Sequence, residues 1–153
     1  MTDPQAQRAS IPTLSLVFGF GPMLPLAAAA LGVWLLPPPW PLYAVNLAIV
    51  WGALVLAFIA GVRRGFGFGS ERASTFAEIT VMLIYFVLAG TALLIAPRSA
   101  LAVLTGGYAL VGLLDHVGAK RGNVPLHFAR LRPWQALIAV ASLAALWWWT
   151  GRV

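Results

Sequence analysis

The chain has no cysteine, which excludes disulfides, thiolate metal sites, thiol nucleophiles and palmitoylation. Charge is almost as scarce. Only 9% of the 153 residues are Asp, Glu, Lys or Arg, four of them acidic, and two histidines make a poor basis for a metal cage. No phosphate-binding glycine loop at strand-to-helix spacing occurs, and nothing supplies an activated nucleophile. No cofactor is therefore expected. In place of charge stand 61% hydrophobic residues and a mean hydropathy of +0.88, far outside the range of soluble domains. The formal charge of +6 would suit nucleic acid, but the basic residues sit in short segments between apolar runs rather than along one face. Membrane topology accounts for them better, and no nucleic-acid partner is expected.

Five apolar stretches, each about as long as a bilayer is thick, predict an all-α bundle of five transmembrane helices over 14–36, 42–62, 75–96, 100–118 and 134–150. Residues 1–13 form a short leading segment and 14–153 a single domain. The first run is not followed by a cleavage site of small residues, so it reads as a retained span. Gly19, Gly21, Pro22 and Pro25 interrupt it, and proline leaves a carbonyl without its helical partner, so this helix is expected to bend toward its neighbours. PPPWP at 37–41 is a rigid, uncharged turn. Thr75 and Glu78 match a capping box at the start of the third span. Pro97 to Ser99 read as a tight turn, and Lys120 to Pro133 as the longest polar connection. Trp40, Trp134, Trp147, Trp148 and Trp149 flank the spans, where amphipathic rings anchor at an interface.

Arg8, Arg63, Arg64, Arg72, Lys120, Arg121, Arg130 and Arg132 fall on one side of this pattern and only Arg98 and Arg152 on the other. The loop-charge rule then puts the N-terminus in the cytoplasm and the C-terminus in the periplasm of a bacterial inner membrane. On the second span, Asn46, Ala53, Ala57, Ala60 and Arg64 recur at near-whole turns, and Gly61 opens a G-x-x-x-G with Gly65. Small residues let helices approach and an amide in lipid seeks a partner, so this stripe is expected to face the bundle. Arg63, Arg64, Glu78, Asp115 and His116 cluster within about a turn of the cytoplasmic helix ends. Asp115 opposes its own helix dipole, and an ion pair with Arg63 or Arg64 is its simplest role. The GFGFG run at 65–69 reads as an interfacial hairpin whose Phe66 and Phe68 dip into the headgroups, and the basic, aromatic segment at 121–134 as one that touches anionic lipid.

Four stretches together resemble DUF3429, a family of small membrane proteins related to the mitochondrial transmembrane protein 69. They are GPMLPLAAAALGVWL at 21–35, the segment 53–65 ending in FIAGVRRG, 113–120 with its Asp115, and 125–134 ending in ARLRPW. Where family members show an aromatic or His-Trp pair, this chain has Arg63 and Arg64. The resemblance implies a compact helical membrane protein and no particular reaction.

Three functions fit these features. The first is a non-catalytic accessory or assembly subunit of a larger inner-membrane complex, with lipid and other subunits or its own copies as partners. The second is an oligomeric transporter or channel component using Asn46 and Asp115. The third is a lipid-headgroup-binding protein or membrane enzyme at the cytoplasmic interface.

Overall fold

The computed structural model describes residues 17, 19–65, 76–120 and 126–153, with side chains described for 17, 19–63, 76–114 and 133–153. Helical backbone at Gly19 and Phe20 leads through a 3-10 turn, Gly21–Met23, into α1, Leu24–Leu35. The other helices are α2, Trp40–Gly65; α3, Phe76–Ala92; α4, Pro97–Lys120; and α5, Leu126–Thr150. The described chain is all-α. Among the described residues, two helices suffice by length and apolar content to cross a membrane, over Trp40–Arg63 and Pro97–Leu114, while Gly21–Leu35 and Phe76–Ala92 are apolar but shorter.

Prolines set most of the boundaries. Leu36 precedes Pro37 and adopts an extended backbone (φ −93°, ψ 144°), because the proline ring crowds the helical conformation of the residue before it. The turn is shorter than PPPWP. Trp40 and Pro41 already belong to α2, with Trp40 N donating to the Pro37 carbonyl, since the first turn of a helix tolerates proline. Likewise Pro97 does not form a turn with Arg98 and Ser99 but opens α4; the reversal lies at Leu93–Ile95, where Leu93 and Leu94 donate to Gly90 and Thr91. The largest departure is in α5. It begins at Leu126 and runs through Pro133, so the stretch expected to be a connection up to Trp134 is helical. Proline removes one hydrogen bond, a loss that the rest of a 25-residue helix outweighs, so the helix continues through it.

Successive helices lie side by side, α5 closes back onto α1, and α2 meets α4 across the ring. Neighbours α1 and α2 run antiparallel: Pro22 meets Trp51 at one end and Gly32 meets Ala44 at the other. At mid-height α1, α2, α4 and α5 converge on Gly52. A β-carbon there would stand 3.3 Å from Leu104, 3.7 Å from Leu26 and 3.9 Å from Leu143. One turn on, Leu56 of α2 fills the space over Gly107 of α4, and Gly112 faces Ala136 where α4 crosses α5. The interior is aliphatic, with Leu26, Leu56, Leu101, Leu104, Leu143 and Leu146 fully buried together with Tyr85 and Tyr108.

Among the described residues, two side-chain-to-backbone hydrogen bonds join α2 to its neighbours, one buried in the core and one half-buried. Tyr108 donates its hydroxyl to the Gly52 carbonyl at 2.8 Å, and the Trp51 indole donates to the Pro22 carbonyl at 2.8 Å. The second follows from the sequence of the 3-10 turn. Leu24 donates to the Gly21 carbonyl, but the next donor in that pattern is Pro25, which has no N–H. The carbonyl released by the proline pair is thus met by a side chain from the adjoining helix.

Candidate functional site

The charge cluster is built where α2 ends and α3 begins. Arg63 stands in the last turn of α2 and Glu78 in the first turn of α3, so each lies at the helix end whose dipole favours its sign. Antiparallel neighbours bring those two ends together. Arg63 Nε donates to Glu78 Oε2 at 2.8 Å, with the arginine side chain 13% exposed and the glutamate 30%. Two turns further along the same face of α3 lies Tyr85, fully buried, with the Arg63 guanidinium 6.0 Å from its ring centroid. The cation is held between a carboxylate and an aromatic ring and joins the ends of two helices. An arrangement of this kind fixes their relative position; it offers an anion little free charge.

Glu78→Gln is expected to lower the stability of the bundle by about 1–2 kcal/mol, the range for an ion pair part-way out of water. Arg63→Met, which removes the cation but keeps an apolar stem over Tyr85, is expected to lose less. Thermal unfolding in detergent would read both, and a Glu78→Gln protein as stable as the wild type would show that this pair does not hold the two helix ends together.

Asp115 and His116 lie in the last turns of α4, but their side chains, and that of Arg64, fall outside the described ones. Thr75, Phe66 and Phe68 also lie outside the described residues, as do the side chains of the basic segment 121–132. Among the described residues no group of three or more His, Asp or Glu stands together as a metal site would require.

The small-residue stripe of α2 divides. Ala53 and Ala60 are buried and Ala57 half-buried, but Asn46 is exposed, and Gly61 is exposed with no neighbour within 4 Å of a β-carbon built on it. The expectation that Asn46 and Gly61 face the bundle is therefore corrected. The buried arc is centred on Val45, Ala48, Gly52 and Leu56, and at roughly 100° per residue Asn46 lies about 80° round from Leu56. The stripe marks the border of that arc rather than its middle. Trp40, Trp134 and Trp148 are exposed, Trp147 less so, and Trp149 is half-buried at the end of α5.

Tyr85, Trp51 and Tyr108 escaped the sequence reading. Tyr85 carried a usable signal, since it sits seven residues after Glu78 and so shares its face. For Trp51 the signal was Pro25 three residues after Pro22, which announces a carbonyl in need of a donor without saying whose.

No curated protein and no solved structure matches the chain. A family model described as a protein of unknown function, DUF3429, matches residues 11–148, which takes in all five helices almost to the end of the last. With nearly its whole length matched, the chain belongs to the DUF3429 family.

Proposed function

We propose that this protein is a five-span integral membrane protein, N-terminus cytoplasmic, and that it serves as a non-catalytic accessory or assembly subunit of a larger inner-membrane complex. The bundle's outer surface supports the membrane reading. Leu31, Leu35, Leu47, Leu54, Phe58, Phe86, Val87 and Leu94 are exposed on α1, α2, α3 and the turn after it, an apolar coat that a soluble monomer does not carry. The distribution of Arg and Lys supports the orientation.

The observation that carries the functional reading is Asn46. It lies six residues into α2 from Trp40, about 9 Å along the helix and well inside a hydrocarbon layer of roughly 30 Å if Trp40 marks its edge. Its amide faces outward among Tyr43, Leu47 and Val50, where lipid tails supply neither donor nor acceptor. A helix of another subunit does supply them. Gly61, bare on its outer side near the other end of α2, leaves room for such a helix to approach. A transport route through one copy finds no such support, because leucines fill the centre of the bundle and Asn46 is turned away from it.

Purification of the native protein in mild detergent is expected to yield an assembly much larger than 16.3 kDa. Asn46→Leu is expected to release the chain from it while shifting monomer stability by less than about 0.5 kcal/mol, as for other exposed positions. A strictly monomeric wild-type protein with nothing co-purifying would overturn the proposal.

A further inference from the structure

At the end of the bundle opposite the Arg63–Glu78 pair, two arginines are held in a different way. Arg98, in the first turn of α4, lies over the Trp147 ring with its guanidinium carbon 5.2 Å from the centroid. Arg152, just past α5, lies over Trp148 at 4.9 Å. Gly151 completes the arrangement: a β-carbon there would come within 2.8 Å of an Arg98 guanidinium nitrogen and 3.0 Å of its central carbon. The guanidinium thus occupies space that only glycine leaves open. Neither guanidinium has a hydrogen bond or ion pair among the described residues. No Asp or Glu occurs in the sequence at 93–102 or 140–153, and Glu78 is about 21 Å away along α3, at its far end.

A cation–π contact uses the face of the guanidinium and leaves the N–H donors on its edge free. Those donors match the paired oxygens of a phosphate group. Trp147 and Trp148 are 37% and 54% exposed, so the indoles offer a half-open apolar platform beside the two cations. We propose that Arg98 and Arg152, set on Trp147 and Trp148, form a binding site for the phosphodiester of an anionic phospholipid, with the indoles against the upper part of its acyl chains. The proposal rests on the membrane reading above. It commits to lipid rather than free phosphate because the platform is apolar and the turn that leads into Arg98 exposes Leu93 and Leu94.

The full chain in mild detergent is titrated with phosphatidylglycerol, and retained lipid is counted by native mass spectrometry. Arg98→Gln with Arg152→Gln is expected to weaken retention by about 30-fold, the equivalent of ~1 kcal/mol per arginine at a membrane surface. Arg8→Gln, which removes one of the same charges from the leading segment, is expected to retain lipid as the wild type does. Gly151→Ala displaces only the far end of the Arg98 side chain. It therefore folds, and an intermediate loss of retention is expected, which keeps the test decisive where the double variant fails to fold. Wild-type retention in a folded double variant, or in Gly151→Ala where the double variant does not fold, would overturn the site. Displacement of the lipid by an equal concentration of inorganic phosphate would overturn the lipid source. A wild-type protein that stays dispersed without detergent would instead overturn the membrane reading itself.

Discussion

Gly52→Leu is expected to abolish the folded bundle, whereas Gly52→Ala is expected to shift its stability by less than about 1 kcal/mol, because the gain in helix propensity offsets the tight contact with Leu104. The difference lies in what already surrounds this position. Leu104, Leu26 and Leu143, from three different helices, stand 3.3, 3.7 and 3.9 Å from where the first side-chain carbon would be. A methyl group asks the Leu104 side chain to give by a few tenths of an ångström. Each further carbon must push α1, α4 or α5 outward, and overpacking a close-packed core costs 1–3 kcal/mol or more even for smaller insertions. Separation would also stretch the 2.8 Å bond from Tyr108 to the Gly52 carbonyl. Detergent-solubilised protein, followed by thermal unfolding and by retention of a monodisperse elution peak, would report both variants. A Gly52→Leu protein as stable as the alanine variant would mean that the four helices do not converge there.

Trp51→Phe is expected to cost about 0.5–1.5 kcal/mol, the net range for one hydrogen bond, since the contact is half-buried. Phenylalanine retains most of the ring's packing, so the loss reports the indole N–H and the Pro22 carbonyl. The sequence of the turn allows a sharper form of the test. Because Pro25 is the residue that fails to donate to that carbonyl, Pro25→Ala restores a backbone N–H at the right place. The cost of Trp51→Phe in the Pro25→Ala background is expected to fall to less than half its value in the wild type. Unfolding free energies of the four proteins give the coupling, and an additive cycle would show that the indole bond and the missing amide are unrelated.

Helix existence was legible because prolines and charges interrupt long apolar runs, and where proline acts on its neighbour the boundary was legible as well. Leu36 before Pro37 is the plain case. Pro97 and Pro133 were misread for different reasons: a first helical turn accommodates Pro97 as well as a loop does, whereas at Pro133 the helix continues through the proline at the loss of one hydrogen bond. The Arg63–Glu78 pair could be anticipated because each residue suits its own helix end and short connections bring those ends together. Asn46 could not be placed. Periodicity says which residues share a face, but α2 is apolar all round, with Leu47, Val50, Leu54 and Phe58 outside and Val45, Ile49, Val55 and Leu56 inside, so hydrophobicity does not distinguish the two. The Arg98 and Arg152 platform was hidden for another reason. Its parts lie about fifty residues apart, and only the antiparallel pairing of α4 with α5 brings Trp147 and Gly151 to Arg98.

By itself the sequence determined an all-α chain, the approximate helices, the scarcity of reactive groups and the membership of a family, all of which depend on composition and on local backbone constraints. Only the tertiary structure decided which face of each helix is buried, that Gly52 is the crossing point, which donor meets the Pro22 carbonyl, and that Asn46 faces out. Those outcomes depend on contacts between residues far apart in the chain, where shape and hydrogen-bond geometry, rather than hydrophobicity, select among apolar surfaces that are locally equivalent.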